Sequence, residues 1–185
     1  MRIVGGAHRG TRLSGPAPGD RRIRPTSDRV RESLFNLLAH RPEGDPVAGA
    51  RVLDLFAGTG ALALEALSRG AEAAVLVERA PDAAALIEAN VARLRLADRA
   101  RLLRRDAARL GPCPGAPFGL AFLDPPYGRS LGERAVASAL AGGWLAPGAF
   151  VVWEESAPPA VPPGLTLLDS RRYGDTMIAL LRRET

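Results

Sequence analysis

The stretch from Arg51 to Gly70 constrains the fold more than any other part of the chain. Arg51-Val52-Leu53-Asp54-Leu55 is a short, apolar, strand-forming run. It passes through Gly58-Thr59-Gly60 into a helix-forming run that ends near Arg69, with Gly70 at the expected C-terminal position. A strand handed to a helix through a glycine turn is the first half of a strand–helix–strand unit. Such a unit needs a parallel partner strand and has a fixed right-handed crossover.

The pattern continues downstream. Ala73 to Glu78 reads as a strand, and Pro81 opens a helix running to about Leu96, since proline is tolerated in a first helical turn. Arg101 to Asp106 and Phe118 to Asp124 are further strands, separated by the Pro/Gly-rich Gly111 to Pro117. A helix over Leu131 to Leu140 precedes a strand over Phe150 to Glu154. Leu165 to Asp169 and Thr176 to Leu181 flank Ser170 to Gly174 as an antiparallel pair. The expectation is an α/β, Rossmann-like fold: a mostly parallel seven-stranded sheet with an antiparallel last strand and helices on both faces. In such sheets ligands bind beyond the carboxyl ends of the strands, where the strand order reverses. Asp54 to Gly60, Glu78, Asp106 and Asp124 to Tyr127 all end or follow a strand.

Ahead of this domain lies a basic appendage. Arg2-Ile3-Val4 and Thr11-Arg12-Leu13 can pair as a hairpin, and Gly15 to Gly19 is a loop. Thr26, Ser27 and Asp28 are N-cap residue types before Val30, Leu34, Leu37 and Leu38, which share helical spacing. We therefore divide the chain into an arm, residues 1–25, and a main domain, residues 26–185. All 25 basic residues are arginine and the net charge is +5. Arg2, Arg9, Arg12 and Arg29 lie among eight arginines within the first 31 residues, against only Asp20 and Asp28. That clustering favours a polyanionic partner. One cysteine, Cys113, excludes an internal disulfide framework and suits a reducing cytoplasm, and with two histidines it leaves too few soft ligands for zinc. No apolar run reaches the roughly 18 residues a membrane span needs.

Two constellations carry chemistry. In the first, glycines at 58 and 60 let a ligand approach the backbone. Glu78 stands 20 residues after Gly58, where a carboxylate can accept hydrogen bonds from ribose hydroxyls. Gly58-Thr59-Gly60-Ala61-Leu62-Ala63 fits the dinucleotide pattern G-x-G-x-x-G/A, so a nicotinamide cofactor and S-adenosylmethionine both suit this half. Asp54 favours the second, because a carboxylate before the turn can hold a cationic amino group but would repel a pyrophosphate. Asp106, with the Ala107 backbone beside it, can accept from an adenine amino group or cap the following turn.

The second constellation is Asp124-Pro125-Pro126-Tyr127. An aromatic amino nitrogen is a poor nucleophile because its lone pair is delocalised into the ring. Acceptors at its two hydrogens, here the Asp124 carboxylate and the Pro125 carbonyl, would localise that lone pair toward an electrophile. Two prolines fix φ near −65° and hold the carbonyl in place. Tyr127 can stack on an extruded base, worth roughly 1–3 kcal/mol.

On these residues the chain resembles the bacterial 16S ribosomal RNA guanine-N2 methyltransferases. The resemblance rests on Arg2 to Gly6, Arg9-Gly10, the run from Arg24 to Asn36, Asp54 to Leu62, Glu65 to Ala71 and Asp124 to Tyr127. Ala63 stands where the family often has glycine. The resemblance implies methyl transfer from S-adenosylmethionine to the 2-amino group of one guanine in 16S rRNA of the small ribosomal subunit or its assembly intermediate, by a cytoplasmic monomer. It implies that Arg24 and Thr26 contribute to the cofactor site with Asp54, Phe56, Gly58, Gly60, Glu78, Asp106 and Ala107. It also implies that Asp124, Pro125, Pro126 and Tyr127 are catalytic, and that the arm arginines grip RNA. A DNA adenine or cytosine methyltransferase, a nicotinamide-dependent oxidoreductase and an idle RNA-binding module are the alternatives. The catalytic loop argues against the last two.

Overall fold

The computed structural model describes residues 1–17, 27–126 and 130–185. Twelve elements follow in order: α1 Asp28–Ala39, β1 Arg51–Leu55, α2 Ala61–Ser68, β2 Ala73–Val77, α3 Pro81–Leu94, β3 Ala100–Leu103, a 3₁₀ turn Ala107–Arg109, β4 Phe118–Leu123, α4 Leu131–Ala141, β5 Leu145–Glu155, β6 Leu165–Tyr173 and β7 Thr176–Arg183. The strands form one seven-stranded sheet in the order β3-β2-β1-β4-β5-β7-β6. Strands β1 to β5 are mutually parallel, and β7 runs antiparallel to both β5 and β6. The last strand in sequence is therefore the sixth in space, inserted between β5 and the edge strand β6. This is the Rossmann-like architecture expected from the alternation.

The sheet separates two apolar layers. Residues of α1, α2 and α3 pack with Val52, Leu120, Phe122, Val152, Ile178 and Leu180 on one face. Ala135, Val136 and Ala139 of α4 pack with Leu53, Leu55, Ala121, Leu123, Val151 and Trp153 on the other. The two-residue period of each strand thus assigns alternate side chains to opposite faces. Strand order reverses between β1 and β4, so the helices following them diverge and open a crevice.

Four elements depart from the sequence expectation; the shortest strand, β3, ends at Leu103, three residues before the expected Asp106. Strand β5 begins at Leu145, five residues before Phe150, although Pro147 and Gly148 lie within it. The register slips between Phe118 and Leu120 of its partner β4, and that irregularity accommodates a proline which a regular ladder would reject. Strand β6 continues through Arg171 and Arg172 to Tyr173, so only Gly174 and Asp175 remain as a hairpin loop; Gly174 has a φ of 61°. Helix α1 is capped by the Ser27 hydroxyl, which accepts from the Val30 N–H at 3.2 Å. Its buried face is Arg31, Leu34, Phe35 and Leu38, with Val30 partly buried against the same core and Leu37 only half-buried.

The rotation of α1 brings an arginine into the core. Arg31 and Glu65 are both 0% exposed, with the Arg31 Nε 3.6 Å from a Glu65 carboxylate oxygen. Glu65 also accepts from the Arg69 Nε at 2.7 Å and from the Val4 N–H at 2.8 Å. Arg31 donates to the Asp28 carboxylate at 2.9 Å and to the Arg2 carbonyl. These contacts pair charges whose burial would otherwise cost several kcal/mol each, and they staple the N-terminal segment to α1 and α2.

The N-terminal segment forms the expected hairpin in abbreviated form. A single bridge joins Arg2 and Arg12, flanked by Ile3 N–H to Thr11 carbonyl at 2.9 Å and Gly10 N–H to Ile3 carbonyl at 2.8 Å. Ile3 and Leu13 are buried in the same apolar layer as α1 and α2. Gly6 has a φ of 73°, and a Cβ there would lie 1.8 Å from the Ser68 carbonyl, so the backbone of this hairpin sits directly on the end of α2. The expected boundary at residue 25 lies outside the described residues, as do Pro18 and Gly19 of the Gly15 to Gly19 loop. Among the described residues, no helix is long and apolar enough to cross a membrane.

Candidate active site

A cavity of about 620 Å³ opens at the carboxyl ends of the central strands. Its floor is the turn between β1 and α2. Gly58 and Gly60 have φ of 58° and 78°, and Phe56 adopts 61°, an uncommon conformation for a residue with a side chain. A Cβ at Gly60 would come within 2.9 Å of Leu76, so that glycine allows close packing on β2 while the turn exposes its backbone to the cavity. Phe56, Gly58, Asp54, Glu78, Asp106 and Ala107 all line this space. Gly60 itself supports the turn from below.

Glu78 is oriented by backbone bonds. One carboxylate oxygen accepts from the Gly58 N–H at 3.0 Å, and the other accepts from the Arg79 and Ala80 N–H groups, each at 2.8 Å. The carboxylate therefore both ties the glycine turn to β2 and stands fixed at the cavity wall. Asp54 is 1% exposed and accepts from the Ala63 N–H at 3.1 Å. Burial, followed by the nearby Glu78 charge, pushes its carboxyl up to about 7 against the downward pull of that hydrogen bond. A carboxyl held this way gains most from a cationic partner. Asp106 caps the 3₁₀ turn through the Ala108 N–H at 2.9 Å, and its second oxygen lies 3.4 Å from Arg79. The capping alternative is thus realised, at a position that still faces the cavity.

The far wall is the segment after β4. The Asp124 N–H meets the Leu55 carbonyl at 3.5 Å, keeping this residue alongside the end of β1. Asp124 is half-buried, Pro125 buried and Pro126 exposed, and all three line the cavity. Tyr127, Arg24 and Thr26 lie outside the described residues. Ser27 and Val30 border the same cavity, so the start of α1 reaches the site. The residues present fit a nucleoside carrying a cationic amino acid: an exposed glycine backbone, an oriented carboxylate and a second, buried carboxyl.

Among the described residues, Arg2, Arg9, Arg12 and Arg29 do not line this cavity. Arg2, Arg9, Arg12 and Arg29 are exposed, and Arg2 lies 3.6 Å from the Asp28 carboxylate. The arm nevertheless touches the site's floor. Asn90 on α3 is fully buried and donates to the carbonyls of Ser14 and Thr59, both at 3.0 Å, while accepting from the Ser14 N–H. One side chain thus links the hairpin to the glycine turn. Asn90 was not legible in sequence as anything but a helix residue.

Sequence reasoning also missed the wall contributed by β5, β6 and β7. Glu154, Tyr173, Asp175 and Thr176 all line the cavity. Nothing local in the segment Tyr173 to Thr176 indicates that a hairpin turn folds back to the mouth of the site.

Known proteins share this sequence pattern and fold. The family model described as "Conserved hypothetical protein 95" matches residues 1–182. The chain is 38% identical to "Ribosomal RNA small subunit methyltransferase D" of Escherichia coli (strain K12), over 100% of this chain and 90% of that protein. It is 33% identical to the protein of the same name from Haemophilus influenzae, over 94% of this chain and 89% of that one. The solved structure of the candidate methyltransferase yhhF from Escherichia coli superimposes with a TM-score of 0.83 at 35% identity, covering 100% of this chain and 98% of that one.

Proposed function

Because the chain belongs to the family described as "Conserved hypothetical protein 95", we propose that it transfers a methyl group from S-adenosylmethionine to the exocyclic N2 of one guanine in the 16S rRNA of the small ribosomal subunit or its assembly intermediate. That the chain is a ribosomal RNA methyltransferase follows from full-length identity to relatives of that name. The methyl donor and the methylated atom are what this reading adds. One observation carries it: the glycine turn, Glu78 and Asp124-Pro125-Pro126 line a single cavity.

S-adenosylmethionine, when bound, supplies a methyl group on a sulfonium that is already an activated leaving group. The protein's part is to position the two reactants. Glu78 would accept from the ribose hydroxyls, and Asp54 would hold the amino-acid ammonium, directly or through water. Phe56, Gly58 and Gly60 would shape the floor, with Asp106 and the Ala107 backbone beside the adenine. Arg24 and Thr26 would complete this half. The Asp124 carboxylate and Pro125 carbonyl would accept hydrogen bonds from the target amine and draw its nitrogen toward tetrahedral geometry. With the two prolines restricting the backbone, in-line placement supplies most of the acceleration. Tyr127 would stack on the extruded base, and Arg2, Arg9, Arg12 and Arg29 would contact phosphates.

The test is methyl transfer from labelled S-adenosylmethionine to small subunits purified from cells lacking this protein, followed by digestion to nucleosides. Label is expected in N2-methylguanosine. Label only on naked DNA, or in another nucleoside, would overturn the assignment.

A further inference from the structure

We propose that Glu154 is a specificity-determining residue that selects guanine by accepting a hydrogen bond from its ring N1–H. The inference rests on the reading above, in which the target amine sits against Asp124.

The sheet register places these two acids side by side. Leu123 of β4 pairs with Trp153 of β5, so Asp124 and Glu154 follow them at adjacent positions on neighbouring strands. Both continue the face that carries Phe122 and Val152, which pack in the layer with α1 and α2. Adjacent strands are separated by roughly 4.8 Å, so carboxylates at such positions can address neighbouring atoms of one ring. Both side chains line the same cavity, and Glu154 does so while only 8% exposed. Thr176, also buried, continues the wall on β7 beyond Ile178, the cross-strand partner of Glu154.

Base chemistry assigns the role. Three bases carry an exocyclic amine: in adenine and cytosine the ring nitrogen beside it on the pairing edge bears a lone pair, and only in guanine does that nitrogen bear a hydrogen. A carboxylate beside the group that receives the amine is therefore attractive to guanine and repulsive to the other two. Extruded bases are read through such edges. A site built to bond a donor rejects an analogue lacking it far more strongly than a pocket that measures shape, because a buried polar group is left facing a mismatched one. The catalytic loop activates an amine without choosing among bases; Glu154 supplies the choice.

The probe is 2-aminopurine ribonucleoside at the target position of reconstituted small subunits. It keeps the 2-amino group but presents a lone pair at N1. The wild-type protein is expected to prefer guanine by about 100-fold or more in kcat/KM. Glu154→Gln, whose amide can donate to N1, is expected to narrow that ratio to less than about tenfold while binding S-adenosylmethionine as the wild type does. Glu154→Asp is expected to keep the preference at reduced rate. A wild-type ratio within threefold of unity, or an unchanged ratio in a cofactor-binding Glu154→Gln protein, would overturn the inference. If that variant does not bind cofactor, the wild-type ratio and the Glu154→Asp ratio decide. Failure of the wild type to form N2-methylguanosine on guanine-containing particles would instead remove the function on which the inference rests.

Discussion

If Asp54 holds the ammonium of the cofactor as proposed, its burial makes binding depend on pH in a calculable way. Its carboxyl is pushed from an ordinary 3.8 up to about 7, first by burial and then by the Glu78 charge. At pH 6 roughly nine-tenths of the unliganded protein therefore carries a proton on Asp54. A ligand whose ammonium requires the ionised form must expel that proton. Apparent affinity should rise about 20-fold between pH 5.5 and 7.5 and stop rising above that, where a free α-amino group, with a pKa of roughly 7.7–8.0, begins to lose its own charge. Isothermal titration at pH 6 in buffers of different ionisation enthalpy should show release of about 0.9 proton per S-adenosylmethionine bound. Asp54→Asn should bind more weakly, with a pH dependence flat to about twofold over the same interval. The unliganded protein supplies a second readout. A raised carboxyl contributes stability that is fully present below pH 3.8 and is lost as pH rises through about 7. At about 1.36 kcal/mol per unit, the loss approaches 4 kcal/mol, which Asp54→Asn should escape. A wild-type affinity independent of pH between 5.5 and 7.5, or the same slope in the variant, would refute the pairing of Asp54 with a cation.

Asp124→Ala should lower kcat by about 10² to 10³-fold while cofactor affinity stays within about threefold, measured by single-turnover transfer and calorimetry; full turnover would remove the proposed role of the loop. Joint replacement of Arg9 and Arg12 by alanine should weaken binding to small subunits and reduce the slope of log affinity against log salt by about 1.4–1.8, and an unchanged slope would place the RNA elsewhere. Glu65→Ala removes the buried carboxylate beside Arg31 and one of the bonds that hold the hairpin to α2, so urea denaturation should show a loss of about 3–5 kcal/mol. A loss below about 1 kcal/mol would mean that this network is dispensable.

Much of the molecule is written locally. The strand β1, the glycine turn and Gly70 after α2 follow from contiguous residues, because backbone permissiveness and apolar periodicity are properties of short segments. For the same reason the floor of the site was legible: Asp54, Gly58, Gly60 and Glu78 lie at the ends of elements whose order alone brings them together. What the segment could not reveal was which side chains meet across strands. Arg31 reads as a surface residue, and becomes the centre of a buried network only because Glu65 and Asp28 lie around it. Pro147 reads as a strand breaker, and is tolerated only because β4 slips its register there. Glu154 ends a strand in any reading of the sequence. Only the pairing of Leu123 with Trp153 sets it beside Asp124, and only the reversal of β7 between β5 and β6 brings Thr176 to the same wall. The sequence alone determined the alternation of strands and helices, the glycine turn and the Asp124-Pro125-Pro126 loop after β4. The tertiary structure decided what stands beside that loop, because neighbours across a sheet depend on strand order and register, and neither is encoded within a single strand.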